Sequence, residues 1–164
     1  MKLRLKFLLA LACLLPALPA PTGRAQTPAA VTEAKVLAVI AALDKAARAA
    51  KVDDIAAHLA DDVRFKMTVD IGDATQSLEF DRAEFLADAK RGFAKRLAYE
   101  LKRQKIEVAI SNDGQSAVVN TESFEKLQRR EGTFSSVSSA IYVLKLRGGR
   151  LVVTSCHVTA RVLI

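Results

Sequence analysis

Apolar residues recur every three or four positions across residues 31–50, a segment that contains neither Gly nor Pro. This spacing places Val36 and Ile40 on one face of an amphipathic helix. A short second helix is predicted from Asp53, because its carboxylate can accept hydrogen bonds from the free N–H groups of a first helical turn. The first part of the chain is therefore expected to be helical.

A strand is predicted to follow these two helices. Two aspartates at positions 61–62 indicate a turn, and from Val63 onward apolar residues alternate with polar ones. This period of two predicts a strand with one buried face, which carries Phe65 and Met67. The sequence DIGD at positions 70–73 then indicates a second turn, after which a short strand is expected.

The clearest helix start in the chain lies between two phenylalanines, Phe80 and Phe85. Asp81 and Glu84 form a D-x-x-E capping box, in which each side chain can accept a hydrogen bond from the other residue's backbone N–H. The spacing of the apolar residues that follow places Phe93 on the inner face of this helix.

The remainder of the chain reads as extended structure. Its four segments lie near residues 99–111, 116–129, 134–146 and 150–162, and the residues between them contain the glycines of hairpin turns. Because each segment exceeds the usual strand length of about five or six residues, we expect a long, twisted meander that is bent by β-bulges.

Residues 1–25 have the composition of a secretory signal peptide, with a cationic start, an apolar run and small residues before a cleavage site near Ala25. The apolar run Phe7–Ala20 is shorter than the roughly 20 residues that cross a bilayer, so no stable membrane span is predicted. Cys13 raises the alternative of a lipid anchor, but the residues before it match a lipobox poorly. We therefore expect a periplasmic or secreted protein that begins near Gln26.

Removal of the signal peptide changes the charge and the cysteine count. The formal net charge of +7 falls by four, because the segment holds four basic residues and no acidic one. Cys156 is then the only cysteine, so the mature chain cannot form an intramolecular disulfide and depends on its core for stability. We expect residues 26–31 to be a flexible linker and residues 32–164 to form one domain.

Two stretches of sequence carry a resemblance to a known superfamily. ALDKAARAAKVDDIAAHLADDVRF (42–65) and GGRLVVTSCHVT (148–159) resemble the opening helices and the last strand of nuclear-transport-factor-2-like proteins, also called SnoaL-like or cystatin-like α+β cones. In many members the last strand follows a D-G-x-W turn and ends in H-x-S. Here Leu151 replaces the tryptophan, while His157 and Thr159 occupy the histidine and serine positions. The order of the predicted elements also agrees with this superfamily.

The resemblance implies an α+β cone, in which a strongly bent antiparallel sheet wraps the long N-terminal helix and two further helices complete the fold. The sheet comprises the C-terminal four-strand meander and an N-terminal hairpin, and its open end can leave a ligand pocket. The superfamily includes isomerases, dehydratases, polyketide cyclases and proteins that only bind or dimerise, often through the sheet, so a homodimer is also implied. We expect the pocket to be lined by Val36, Ile40, Phe65, Met67, Phe93 and His157.

His157 is the leading candidate for proton transfer, because imidazole titrates near neutral pH. The alternative is a histidine that only hydrogen-bonds a neighbour. Regular alternation places His157 on the same strand face as Leu151 and Val153, with Cys156 on the other, so cysteine and histidine cannot form a nucleophile and base pair. Tyr142 is the second catalytic candidate, and its alternative is a packing residue with a satisfied hydroxyl.

The sequence indicates no metal site and no cofactor. His58 and His157 lie far apart, and no glycine-rich phosphate loop or dinucleotide fingerprint is present. Basic residues gather at positions 89–105 and at Lys126, Arg129 and Arg130, which together we call the basic stripe. Acidic residues interrupt the stripe and the net charge is modest, so nucleic-acid binding is not expected.

These observations favour an exported cone that binds a small apolar molecule in its pocket, or dimerises through its sheet, without catalysis. The first alternative is a small hydratase, isomerase or cyclase that uses His157 with Tyr142 or an acid. The second alternative is an envelope accessory protein that binds a protein partner through the basic stripe.

Overall fold

The computed structural model describes residues 30–163, in which helices come first and strands dominate the second half. The helices are α1 (Glu33–Arg48), α2 (Val52–Ala56) and α3 (Arg82–Ala94). The strands are β1 (Leu59–Ile71), β2 (Ala74–Phe80), β3 (Ala98–Ile110), β4 (Ser116–Arg129), β5 (Gly132–Arg147) and β6 (Arg150–Leu163). The predicted signal peptide and most of the predicted linker lie outside the described residues.

The strands form one curved, open sheet in the order β2-β1-β6-β5-β4-β3. Neighbouring strands are antiparallel except for β1 and β6, which run parallel. Helix α1 packs on β3 and β6, and α3 packs on β1 and β2. The face of the sheet toward α1 and α3 is called the inner face here, and the opposite one the outer face. This architecture confirms the predicted α+β cone, with its meander and its N-terminal hairpin.

Side-chain caps fix the starts of the two longer helices. The Thr32 hydroxyl accepts a hydrogen bond from the Lys35 N–H at 3.3 Å at the start of α1. At the start of α3, the Asp81 carboxylate accepts from the Glu84 N–H at 2.9 Å, and the Glu84 carboxylate accepts from the Asp81 N–H at 3.0 Å. The capping box predicted from the sequence is thereby confirmed.

The hydrophobic core lies between α1 and the inner face of the meander. Its most deeply buried large side chains are Val36, Ile40, Val63, Val119, Leu144 and Val153. These residues come from α1 and from four strands, so the core joins distant parts of the chain. Burial of such side chains is the main stabilising contribution in a domain that has no disulfide among its described residues.

The structure differs from the sequence prediction at the start of β1. The strand begins at Leu59, and residues 61–62, predicted as a turn, lie inside it with exposed side chains. Leu59 is buried and pairs with Val153 of β6, and this packing outweighs the local turn preference of the two aspartates. The pairing with β6 shifts register before Arg64, so an irregularity accommodates the extra residues.

Two β-bulges change which residues face inward. In β3 the pairing with β4 skips Gln104, so Arg103 and Ile106 both lie opposite buried residues of β4. In β6 the pairing with β5 skips Thr154, whose hydroxyl donates to the Val143 carbonyl at 3.2 Å. Because a bulge adds one residue to one strand, it shifts the alternation of faces by one position. The bulges expected from the length of the strands are therefore present.

The described residues contain no helix of the length and apolar character that crossing a membrane requires.

Candidate functional site

A cavity of about 340 Å³ lies between the inner face of the sheet and helices α1 and α3. Its wall is mainly apolar and includes Leu43, Leu59, Phe65, Met67, Phe93 and Val153. Phe65 and Phe85 stack with their ring centroids 3.8 Å apart, which joins β1 to α3 beside the cavity. The volume lies within the range of roughly 300–1,000 Å³ that is typical of small-molecule sites.

Arg103 on β3 carries the most extensive polar network of the wall. Its Nε donates to Asp44 Oδ2 at 3.0 Å, and its Nη2 donates to Asp44 Oδ1 at 2.6 Å. Nη1 donates to the Thr121 hydroxyl at 2.8 Å, and Nη2 also donates to the Tyr142 hydroxyl at 3.3 Å. The side chains of Arg103 and Asp44 are only 15% and 8% exposed, so they form a largely buried ion pair.

Burial and hydrogen bonding raise the pKa values of three groups in and beside this network. Burial raises the pKa of Tyr142 to about 12, and the nearby Cys156 thiol acts in the same direction. Burial also raises the pKa of Cys156 to about 12. For Arg103, burial lowers the pKa but the hydrogen bond to Asp44 and the neighbouring charges outweigh it, so the net direction is upward. At neutral pH the tyrosine and the cysteine are therefore neutral and the arginine is charged.

A second polar group lies on β3, β4 and β5 in the same wall. The Tyr99 hydroxyl donates to Glu125 Oε2 at 2.7 Å, and the Ser138 hydroxyl donates to Glu125 Oε1 at 3.5 Å. Ser138 also shares a hydrogen bond of 2.8 Å with Ser123. Burial, followed by the charge of Glu125, raises the pKa of Tyr99 well above its ordinary value. Tyr99 is thus a donor that orients the glutamate carboxylate.

Arg96 joins the ends of three elements beside the cavity. Its guanidinium lies over the rings of Phe93 and Tyr99, with Cζ 4.8 and 4.7 Å from their centroids. Its Nη1 and Nη2 donate to the carbonyls of Ala47 and Arg48, at 2.7 and 2.8 Å, at the end of α1. Partial burial lowers its pKa. The contacts combine cation–π stacking with capping of a helix C-terminus.

The structure corrects the expected position of His157. The residue lies on the outer face, where it is exposed and pairs in register with Lys66 and Ile141, and it does not line the cavity. The bulge at Thr154 is the reason, because it shifts the alternation so that Cys156 faces inward instead. The geometry therefore gives His157 no access to a ligand in the cavity.

The other predicted pocket residues divide into two groups. Phe65, Met67 and Phe93 lie in the wall of the cavity. Val36 and Ile40 do not line the cavity, and their expected position is corrected. Both belong to α1 and are fully buried in the hydrophobic core. Tyr142 also lies in the wall, and its predicted catalytic role stays a prediction.

The sequence reasoning missed the polar residues that give the cavity its chemistry: Asp44, Tyr99, Arg103, Glu125 and Cys156. One signal was available, because Asp44 follows Ile40 by four positions and so lies on the apolar face of α1. A carboxylate buried there requires a partner. The identity of that partner depends on pairing between strands that no local pattern contains. Within residues 30–163 no group of three metal-ligating side chains is present.

The fold is shared with solved structures of low sequence identity. A conserved protein from Planctomyces limnophilus is 18% identical, with a TM-score of 0.65 over 80% of this chain and 97% of that chain. An NTF2-like protein of unknown function from Pseudomonas putida is 17% identical, with a TM-score of 0.63 over 77% and 84%. An NTF2-like protein from Streptomyces avermitilis, for which dehydratase activity has been suggested, is 15% identical, with a TM-score of 0.60 over 77% and 93%. No protein-family model and no curated protein sequence matches the chain.

Proposed function

Because the chain has the nuclear-transport-factor-2-like fold, we propose that it is an exported protein that binds a small, mainly apolar molecule in its cavity without chemical conversion. The observation that carries this proposal is the cavity of about 340 Å³, whose wall is mainly apolar and whose polar residues are Lys66 and the two hydrogen-bonded groups described above. This combination is typical of ligand sites, in which apolar surface supplies affinity and a few polar groups supply orientation.

Three side chains of the wall act as hydrogen-bond donors and not as bases, which favours binding over catalysis. Tyr99, Tyr142 and Cys156 keep their protons at neutral pH, so they can donate hydrogen bonds but do not accept protons. Arg103 is engaged by Asp44, and the one strong candidate for a base from the sequence, His157, lies outside the cavity.

Export is the second part of the proposal and follows from the sequence of residues 1–25. Native mass spectrometry of the protein purified from its own cells tests both parts together. We expect a mature chain that begins near Gln26, together with a bound mass that denaturation releases. A chain that retains its first residues would contradict export, and a mature chain without any retained or extractable small molecule would contradict the binding function.

A small hydratase, isomerase or cyclase is the second candidate function. One observation favours it: Arg103 donates to the Tyr142 oxygen, so the Tyr142 hydroxyl is a polarised donor in the cavity wall that could face a ligand carbonyl. The suggested dehydratase activity of the Streptomyces avermitilis protein points the same way. Incubation of the released ligand with wild-type protein and with Y142F distinguishes the two functions, because only an enzyme converts it and loses that conversion in the variant.

An accessory protein with a filled cone is the least favoured alternative, since the cavity is open.

A homodimer through the outer face is also proposed. Val118, Val137 and Ile141 are apolar residues of β4 and β5 that are 39%, 37% and 47% exposed at the centre of this face. Charged residues of both signs flank these apolar residues, and an isologous two-fold contact buries the apolar residues of both copies. The flanking residues are Lys66, Arg161, Glu107 and Glu122.

Light scattering after size exclusion tests the dimer. The wild-type protein is expected at twice the mass of the chain, and I141K at the mass of one chain. The matched control is L97K, since Leu97 is 62% exposed in the connection between α3 and β3, away from the outer face. A monomeric wild-type protein would contradict the proposal.

A further inference from the structure

We propose that the ligand of the cavity carries a protonated amine, which Glu125 binds, while the apolar body of the molecule fills the rest of the cavity. This inference rests on the proposed binding function and adds the chemical class of the ligand.

The charged pair in the cavity wall is not available to a ligand. Arg103 uses four hydrogen bonds on Asp44, Thr121 and Tyr142, and its charge is balanced by Asp44. A ligand carboxylate that competes for Arg103 would leave the largely buried Asp44 carboxylate without its partner, which is strongly unfavourable. The cavity therefore selects against acids.

Glu125 has the opposite character. Among the described residues no lysine, arginine or histidine forms an ion pair with it. Its hydrogen bonds come from two neutral hydroxyls, those of Tyr99 and Ser138. Because an ionised carboxylate offers about four acceptor positions, capacity remains for further donors from the cavity. A cationic donor supplies both the missing hydrogen bonds and the missing charge.

Arg96 lies near this polar group but does not bind Glu125. The rings of Phe93 and Tyr99 line the cavity, and both already interact with the guanidinium of Arg96 through their faces. Arg96 directs its Nη1 and Nη2 donors to the α1 carbonyls of Ala47 and Arg48 and not to Glu125. Glu125 therefore has no cationic partner among the described residues, although a guanidinium lies over the ring of Tyr99, and its carboxylate can accept hydrogen bonds from the ammonium group of a ligand.

Three probes with the same apolar body test the class of ligand. Isothermal titration of the mature protein at neutral pH compares 4-phenylbutylamine, 4-phenylbutan-1-ol and 4-phenylbutyrate. Because hydrogen bonds to charged groups are stronger than neutral ones, we expect the amine to bind about tenfold more tightly than the alcohol. The acid is expected to bind most weakly. Equal affinity of the amine and the alcohol, or tighter binding of the acid, overturns the inference and leaves the binding function in place.

The variant E125Q tests the assigned residue, because glutamine keeps the shape and an acceptor for Tyr99 but removes the charge. We expect the affinity for the amine to fall about tenfold, to the level of the alcohol, while the affinity for the alcohol changes less than about twofold. E131Q is the matched control, since Glu131 is exposed in the turn between β4 and β5 and lies outside the cavity. Unchanged amine binding in a folded E125Q overturns the inference. Absence of binding by all three probes overturns it together with the proposed binding function, whereas equal affinities overturn the inference alone.

Discussion

Asp44 of α1 and Arg103 of β3 form an ion pair with two hydrogen bonds, 2.6 and 3.0 Å long, in the wall of the cavity. The two residues are 59 positions apart, so the contact fixes the first helix against the edge strand of the sheet. It also sets the polarity of the cavity, because it neutralises both charges within the protein.

The variant D44N tests the energetic role of this pair. It leaves the Arg103 guanidinium largely buried without a counter-charge, and loss of one partner of a buried pair costs about 3–5 kcal/mol. We expect the free energy of unfolding, measured by urea denaturation, to fall by about 3 kcal/mol. The control is D62N, because the Asp62 pair with Arg147 has side chains that are 64% and 51% exposed and contributes less than about 1 kcal/mol. Equal losses in the two variants would contradict this role.

Thiol reactivity tests which residues of β6 face the inner side of the sheet. The Cys156 thiol is buried, and its raised pKa of about 12 leaves little thiolate at neutral pH. We expect slow reaction of the native protein with a disulfide reagent and fast reaction after unfolding. The double variant C156A/H157C places a thiol on the outer face and should react quickly without unfolding. Rapid reaction of the native wild-type protein would contradict the position of the bulge at Thr154.

Stability is expected to fall at alkaline pH. The pKa of Cys156 rises from 9.0 to about 12 on folding, and that of Tyr142 rises from 10.0 to about 12. Above pH 9.0 the unfolded chain releases these protons while the folded chain retains them, so the free energy of unfolding decreases as pH rises. The Cys156 contribution is complete below pH 9.0 and is lost between that value and about 12.

The variant C156A isolates this effect. One such proton contributes a slope of about 1.4 kcal/mol per pH unit, so the decrease of the unfolding free energy with pH should be shallower by that amount in C156A. The comparison uses the slope and not the absolute stability, because the substitution also removes packing. Identical slopes for the two proteins would argue against a buried, protonated thiol.

The start of α3 offers a local test of the capping box. D81A removes the acceptor for the Glu84 N–H, and loss of an N-cap side chain costs about 1 kcal/mol. D88A, on the same helix, removes only an exposed pair with Arg91 and should change stability little. Both values follow from urea denaturation. A D81A loss as small as that of D88A would contradict the capping role.

Local patterns in the sequence predict the elements of this fold but not the facing of its side chains. The capping box at Asp81 and Glu84 and the spacing in α1 depend on neighbours within a few positions, and both predictions are confirmed. The position of His157 depends on one extra residue, Thr154, which lies in a run of β-branched and small residues without any local sign of a bulge. A single shift of alternation exchanges the inward and outward faces. The sequence therefore predicted His157 in the pocket, whereas Cys156 lines it.

The polar groups of the cavity could not be predicted from the sequence for a related reason. Arg103 and Glu125 look like ordinary members of a charged stretch when they are read in the sequence. Their partners, Asp44 and Tyr99, are brought to them by the sheet and by the packing of α1. Only Asp44, an acidic residue on the apolar face of α1, indicated that a buried charge was present.

The most direct test of the binding function is a methyl NMR titration with 4-phenylbutan-1-ol as the probe. The methyl groups of Met67 and Val153 line the cavity, and those of Val118 and Ile141 lie on the outer face. We predict saturable chemical-shift changes at Met67 and Val153 with little change at Val118 and Ile141. Changes confined to the outer face, or no saturable change at any of these methyl groups, would contradict a cavity that binds small apolar molecules.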